Sequence, residues 1–173
     1  MGGFNLLVST SRFKEEEAQD EILDLLNTLG DPDAESEIIE ISGLLLAQTA
    51  LNPLEVIVKL KQLVDSEPWE VRYILRVLPL ELVVTTDLHA IRLATKKLAS
   101  KIGKESFRIT VEKRHSALKS IEVIQAIAGD IESRVDLENP HWVVLVEIMG
   151  GKTGLSVLRP EQMFSSVVEK RKS

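Results

Sequence analysis

The sequence predicts an α+β fold of layered helices and sheets, divided into two domains at residues 1–86 and 87–173. Hydrophobic residues recur with the 3.6-residue period of helices in some segments and with the two-residue period of strands in others. Charge is also divided unevenly. Residues 1–86 hold 6 Lys/Arg and 16 Asp/Glu, whereas residues 87–173 hold 15 and 11. Halves of opposite sign indicate domains with different partners.

The composition is typical of a globular cytoplasmic protein. Of the 173 residues, 44% are hydrophobic, which is enough to bury a core. The longest apolar run, around Val143–Val146, is broken by Glu147 and is too short to span a bilayer. The first residues lack the charged and apolar regions of a secretory signal, so we expect no export. The absence of cysteine excludes disulfides and thiolate metal sites.

The first half predicts a strand, a helix, two short strands, a second helix and a final extended segment. Gly30 ends the first helix, Asn52 and Pro53 begin the second, and Pro79 indicates a bend or an edge position in the extended segment. This order of elements is that of a ferredoxin-like domain. The predicted elements are Phe4–Ser9, Glu15–Leu29, Glu37–Ile41, Leu44–Gln48, the helix from Asn52, and Val71–Val84.

The second half predicts a helix, a strand, a second helix, two further strands and a short last helix. Thr86 or Asp87 caps the first helix, and Gly103 ends it. The strand His141–Ile148 is almost continuously apolar, which favours burial on both faces. The first helix runs to Ile102, and its inward residues are Leu88, Ile91, Ala94 or Thr95, Leu98 and Ile102. The strand Phe107–Val111 places alternate residues inward, and the next helix is capped by Ser120 and carries Ile121, Ile124, Ile127 and Ile131. The last strand is Leu155–Leu158, and the last helix begins at Pro160.

Two patterns that could indicate catalysis have simpler interpretations. Gly151–Lys152–Thr153 resembles the end of a phosphate-binding P-loop, but Val146 stands where another glycine is needed, and a strand pattern follows instead of a helix. We therefore predict a hairpin turn, from whose tip Lys152 could contact a phosphate. His89, His115 and His141 lie far apart without ligand spacing. We expect no catalytic residue, metal site or cofactor.

The positive signal is a basic segment between Arg92 and Lys119, which holds nine Lys/Arg residues and only two acids, Glu105 and Glu112. A run of lysines often serves only to keep a helix soluble, but so few compensating acids favour a binding surface. Point charges on helices and a strand suit a phosphate backbone, and aromatic residues for base stacking are scarce. The candidate RNA-binding residues are Arg92, Lys96, Lys97, Lys101, Lys104, Arg108, Lys113, Arg114, His115, Lys119 and Lys152, with Lys97, Lys101 and Lys104 on one helix face.

Several of these segments together resemble the THUMP domain. The resemblance rests on a strand ending in paired basic residues, a turn of the form Asp-Leu-x-Asn-Pro, and two apolar strands after it. It covers about residues 70 to 165, and Tyr73–Pro79 resembles the segment leading into THUMP in adaptor proteins required for N4-acetylcytidine in tRNA. The segments are Phe107–His115, Asp136–Pro140, Val143–Ile148 and Gly154–Leu158.

The resemblance implies a THUMP domain with a mixed sheet after the ferredoxin-like domain, and binding of tRNA through its acceptor end. Arg108, Lys113 and Arg114 match the family's basic strand, and His115 stands where some relatives carry another basic residue or asparagine. Only 86 residues precede the second domain, too few for a Rossmann-type methyltransferase. The resemblance therefore implies a stand-alone, non-catalytic adaptor that presents tRNA to a separate cytidine acetyltransferase.

Two other classes of function remain open on the sequence alone. A small RNA- or nucleotide-processing enzyme would need acids and histidines that folding brings together in a closed pocket, with His115 or His141 beside a buried carboxylate. A protein-interaction or dimerisation module would have no nucleic-acid role at all.

Overall fold

Nine strands and five helices form within residues 3–172, the part of the chain that the computed structural model describes. They belong to two units. The first unit contains the residues up to Pro79 and those from Gln162 onward, and the second unit is Leu80–Glu161. Each unit has its own sheet, and the α+β class predicted from the sequence is confirmed. No helix in the described range is long and apolar enough to cross a membrane.

The first unit is built on an antiparallel sheet with the strand order β2-β3-β1-β4-β9. Up to β4 its elements follow the β-α-β-β-α-β order predicted for a ferredoxin-like domain. The elements are β1 (Leu6–Thr10), α1 (Glu15–Thr28), β2 (Glu35–Ile38), β3 (Leu44–Gln48), α2 (Pro53–Ser66), β4 (Ile74–Pro79), β9 (Phe164–Ser165) and α5 (Ser166–Lys172).

The start of α2 illustrates how the sequence determines these elements. The side chain of Asn52 accepts a hydrogen bond of 2.9 Å from the backbone N–H of Leu54, and Pro53 occupies the first helical position. The helix then buries Ile57 and Leu60 against the sheet. Burying each such side chain contributes about 1.5–3 kcal/mol.

The second unit is built on a four-stranded mixed sheet in the order β5-β8-β7-β6, in which β6 and β7 are parallel and the other neighbours antiparallel. Its core lies between the sheet and the helices α3 and α4. Gly150 and Gly151 form the predicted hairpin turn. The strand β8 follows them, where a P-loop would have a helix. The elements are β5 (Leu82–Thr85), α3 (Leu88–Ala99), β6 (Phe107–Arg114), α4 (Ser120–Ala128), β7 (Trp142–Met149) and β8 (Lys152–Leu158).

The two helices of the second unit differ in how well the pattern predicted them. Asp87 caps α3, accepting a hydrogen bond of 2.9 Å from the N–H of Ala90. In α4, however, the buried residues are Val123 and Ile127, and Ile121 is 56% exposed. Of the isoleucines predicted on this helix, Ile127 is therefore buried and Ile121 is not. The helix spans only nine residues, so Ile131 lies beyond its end, where it is partly buried against the same core.

The boundary between the units differs from the predicted boundary between residues 86 and 87. The extended segment of residues 71–84 is not one strand. It divides into β4, which pairs in the first sheet, and β5, which pairs with β8 in the second. The chain from Gln162 also returns to the first unit, where Phe164 is 1% exposed within that core.

The last helix begins later than predicted. Residues Pro160–Gln162 form a single 3₁₀ turn, β9 follows, and only then does α5 begin at Ser166. Burial of Phe164 explains the difference, because a strand pairing places its ring in the core.

Replacement of Phe164 by alanine is expected to destabilise the first unit by about 3 kcal/mol, because removing a buried aromatic ring leaves a cavity. The free energy of unfolding, measured by urea titration with amide exchange of β1 and β4, checks this.

Val167→Ala is the matched control, since Val167 is exposed on the same C-terminal segment. It is expected to change the free energy of unfolding by less than about 0.5 kcal/mol. Equal losses in the two variants would contradict the assignment of this segment to the first core.

Candidate nucleic-acid interface

Five of the predicted residues lie at one edge of the second sheet, at or just beyond the positions where the parallel strands β6 and β7 both end. The strand register sets Arg114 beside Met149 and Met149 beside Lys152. The N–H of Gly150 donates a hydrogen bond of 2.9 Å to the carbonyl of Arg114, which fixes the hairpin against the end of β6. We call Lys113, Arg114, His115, Lys119 and Lys152 the edge cluster.

The backbone between β6 and α4 turns sharply at this edge. His115 has a φ of 53°, a left-handed conformation that is uncommon for residues other than glycine. Ser116 then accepts a hydrogen bond of 3.2 Å from the N–H of Leu118, and Lys119 is the N-cap of α4. The unpaired N–H groups and the dipole at this helix start add to the positive potential of the edge cluster.

Within the edge cluster, Arg114 is held by a buried carboxylate. Its Nη2 lies 3.4 Å from Oε1 of Glu147, whose side chain is 1% exposed. Glu147 is the acid that interrupts the apolar pattern of β7, and the register places it on the same sheet face as Arg114. Removing one partner of a buried ion pair leaves an uncompensated charge. Arg114 therefore stabilises the strand pair, and its charge is largely neutralised.

Arg92, on α3, is held in the same way. Its guanidinium donates two hydrogen bonds to the carboxylate of Asp130, of 2.7 and 2.9 Å. The hydrogen bonds from Arg92 lower the pKa of Asp130 below its ordinary value, and those to Asp130 raise the pKa of Arg92. This pair connects α3 to the segment that follows α4.

Lys101 and Lys104 do not lie on a helix face with Lys97, and that prediction is wrong. The helix α3 ends at Ala99, and the chain continues through turns in which Ile102 is buried in the core. Lys101 forms an ion pair with Glu81 and donates a hydrogen bond of 3.1 Å to the carbonyl of Val157. The burial of Ile102 sets the direction of this segment.

Arg108 is half-buried and contacts backbone. Its Nη1 donates a hydrogen bond of 3.2 Å to the carbonyl of Leu137. The backbone of Phe107 pairs with residues 134–136, so the contact of Arg108 holds the same connection against the start of β6. The geometry gives Arg108 a structural role in addition to its positive charge.

The remaining predicted lysines are exposed. Within residues 3–172 none of them forms an ion pair, and His115 is exposed beside them. They fall into one group on and after α3 and another in the edge cluster. The exposed lysines are Lys96, Lys97 and Lys104 in the first group, and Lys113, Lys119 and Lys152 in the second.

The surplus of positive charge is a property of these surfaces and not of the whole second unit. Residues 80–161 hold 12 Lys/Arg and 11 Asp/Glu. The cluster at residues 170–172, which the sequence assigned to the second domain, belongs to the first unit. Ion pairs in this unit neutralise as many basic groups as acidic ones, so its basic surfaces arise where exposed lysines lie together. The paired carboxylates are Glu81, Glu105, Asp130, Asp136 and Glu147.

Neither His115 nor His141 forms a hydrogen bond with a carboxylate in the part of the chain that the structure describes. Nδ1 of His141 lies 2.8 Å from Oγ of the buried Ser106, and His115 forms no hydrogen bond within the described chain. Across residues 3–172, no group of three or more His, Asp or Glu side chains is arranged to hold a metal ion.

The two aromatic residues of the second unit are already covered. Phe107 is buried in the core. The ring of Trp142 is covered by the guanidinium of Arg159, 3.8 Å from its centroid, and its Nε1 donates a hydrogen bond of 3.1 Å to Glu105. Hydrogen bonds from Arg159 and Trp142 also lower the pKa of Glu105. Neither ring is open for base stacking.

Comparisons with known proteins agree with the resemblance seen in the sequence. Residues 85–158 match the model of the THUMP domain family, so a THUMP domain is present in the chain. No curated protein sequence gives a match.

Three solved structures share the fold. They are PH1313 from Pyrococcus horikoshii (21% identity, TM-score 0.69), TrmN from Thermus thermophilus (20%, 0.62) and a 4-thiouridine synthetase in complex with RNA and ATP (15%, 0.53). The three similarities extend over 94%, 90% and 90% of this chain, in the same order. This chain in turn spans 55%, 46% and 41% of the length of those three proteins. At these identities the likeness concerns the fold alone.

Asp130→Asn is expected to lower the free energy of unfolding at neutral pH and to have less effect in acid. The lowered pKa of Asp130 means that its contribution to stability is present above the pKa of the unfolded chain. That contribution is lost as the pH falls through the pKa of the folded protein. Urea unfolding of wild type and variant between pH 7 and pH 2 measures the difference.

Glu132→Gln is the control, because Glu132 is exposed and close to Asp130 in sequence but forms no ion pair in the described chain. A difference between wild type and Asp130→Asn that stays constant with pH would contradict the assigned ion pair.

Proposed function

We propose that this chain, which contains a THUMP domain, binds tRNA through its phosphate backbone and presents it to a separate enzyme for N4-acetylation of cytidine. The observation that carries the proposal is the set of six exposed lysines without ion pairs on the unit that matches the THUMP domain. The chain itself acts as a non-catalytic adaptor.

Charge and exposure support phosphate as the group that is bound. Lysine heads are hydrated point charges that exchange water and counterions for phosphate oxygens. The start of α4 adds backbone N–H groups beside Lys119. Since neither aromatic ring of the second unit is open, these contacts favour the shape and phosphates of a helical RNA over stacking on single-stranded bases.

The solved structures of the same fold support RNA as the class of ligand. One of them is a 4-thiouridine synthetase bound to RNA. The context of acetylation, and the acceptor end as the bound part of tRNA, rest on the resemblance of Tyr73–Pro79 and of the THUMP segments to adaptor proteins. The cytoplasm is the compartment in which such a complex would act.

The triple variant Lys113→Gln, Lys119→Gln, Lys152→Gln is expected to bind tRNA more weakly, because three cations that neutralise phosphates are removed. The log–log dependence of affinity on salt should also become shallower, by about 0.7–0.9 for each phosphate that is no longer neutralised. Filter binding or fluorescence anisotropy with tRNA at several salt concentrations measures both quantities.

The control variant Lys59→Gln, Arg171→Gln, Lys172→Gln changes the charge equally on the first unit, and its affinity for tRNA should change little. If the two triple variants reduce affinity and salt dependence equally, the edge cluster is not the binding surface.

Reconstitution tests the adaptor role. With tRNA, acetyl-CoA, ATP and a candidate tRNA cytidine acetyltransferase, acetylcytidine is expected to form when the wild-type chain is present. The edge-cluster variant should reduce the rate in proportion to its reduced affinity for tRNA. Product that forms equally well without this chain would contradict the adaptor role, although it would leave RNA binding intact.

A further inference from the structure

A single aromatic ring projects from the loop between β1 and α1 in the first unit. Phe13 is 80% exposed and has a φ of 72°. A bulky side chain is a genuine outlier in this left-handed region, because its Cβ lies too close to the following carbonyl oxygen. Both features are unfavourable for an isolated domain.

The loop is fixed by the backbone around it. The N–H of Thr10 donates a hydrogen bond of 2.9 Å to the carbonyl of Gly43, whose own N–H donates to Oε2 of Glu15 at 2.9 Å. A side chain at position 43 would meet the carbonyl oxygen of Thr10 at 2.7 Å, so glycine is required there. These contacts hold the chain on both sides of Phe13, at Thr10 and at Glu15.

The residues around Phe13 are polar or charged. Between Thr10 and Glu17, Phe13 is the only apolar side chain. The guanidinium of Arg12 lies 5.1 Å from the centroid of its ring. Aromatic residues that anchor a protein partner are enriched in well-packed, desolvated pockets, and such a pocket needs apolar neighbours that this loop lacks.

The charges of the loop favour contact with the base of a nucleotide over contact with its phosphate. Lys14 is paired with Glu17 at 3.2 Å, and Glu16 is exposed beside it. These carboxylates disfavour a phosphate. A nucleobase is neutral and flat, and it stacks well on both aromatic rings and guanidinium planes.

We infer that Arg12 and Phe13 form a stacking site for one unpaired nucleobase of the bound RNA. The site rests on the proposed function, because it needs an RNA ligand. It adds to that function a preference for RNA with unpaired nucleotides, which phosphate contacts alone do not supply.

The full-length chain is tested with two RNA hairpins that share the same stem and the same compact, internally stacked tetraloop, one with a blunt end and one with four unpaired nucleotides at each strand end. Phe13→Ala is expected to weaken binding of the second hairpin about 10-fold, the size expected for loss of one base stacked on an aromatic ring. Binding of the blunt hairpin should be unchanged. Phe13→Trp should retain the preference of wild type, and Phe13→Leu should behave as Phe13→Ala.

Tryptophan emission gives a second readout. In Phe13→Trp, the hairpin with unpaired ends should quench fluorescence more than it does in wild type, whose Trp69 and Trp142 provide the background.

The outcomes distinguish this site from the proposed function. If neither hairpin binds wild type at low salt, the proposed function fails and the site with it. If both hairpins bind and Phe13→Ala leaves the preference intact, the stacking site is wrong while RNA binding stands. Wild-type affinity of Phe13→Leu for the second hairpin would also overturn stacking, since leucine supplies apolar area without a ring.

Discussion

The parallel pairing of β6 with β7 determines where the basic residues of the second unit lie. Two parallel neighbours cannot be joined by a hairpin, so the chain must cross over through α4 before β7 begins. Both strands then end at the same edge, where the connection to α4 and the turn at Gly150 lie side by side. Lys119 and Lys152 come together for this reason, although they are distant in sequence.

Apart from Lys101, the basic Lys and Arg residues of the second unit are of two kinds: arginines that bind acceptors within the protein, and exposed lysines that form no ion pair in the described chain. The arginines Arg92, Arg108 and Arg114 contact fixed acceptors: a carboxylate, a backbone carbonyl and a buried carboxylate. A planar guanidinium suits such partners because its donors have a fixed geometry. The exposed basic groups are mostly lysines, whose flexible, hydrated heads suit contacts with a phosphate backbone. A unit with nearly balanced charge can thus carry locally basic surfaces where its exposed lysines lie together.

Local features of the fold could be predicted from the sequence, whereas contacts between distant segments could not. Asp87 and Asn52 cap helices and Gly150 forms a turn. Each of these roles involves residues nearby in the sequence, so the local pattern predicts it. The partner of Lys101 is Glu81, and the burial of Phe164 depends on pairing with β4; no local pattern contains either contact. The pattern of α4 also holds two apolar stripes, and only packing selects the one through Val123. The basic residues could be named from sequence, but those left exposed could not.

Within residues 3–172, two residues other than glycine have left-handed backbone, and each follows a strand. Phe13 follows β1 and His115 follows β6, each just beyond the end of a strand. A strained residue costs about 1–3 kcal/mol and persists only where its surroundings fix it, a situation common at binding sites. At both positions the turn directs an exposed ring to solvent, in one unit beside carboxylates and in the other beside lysines. The neighbouring charges differ, so the exposed ring lies on a basic surface in the second unit and beside carboxylates in the first.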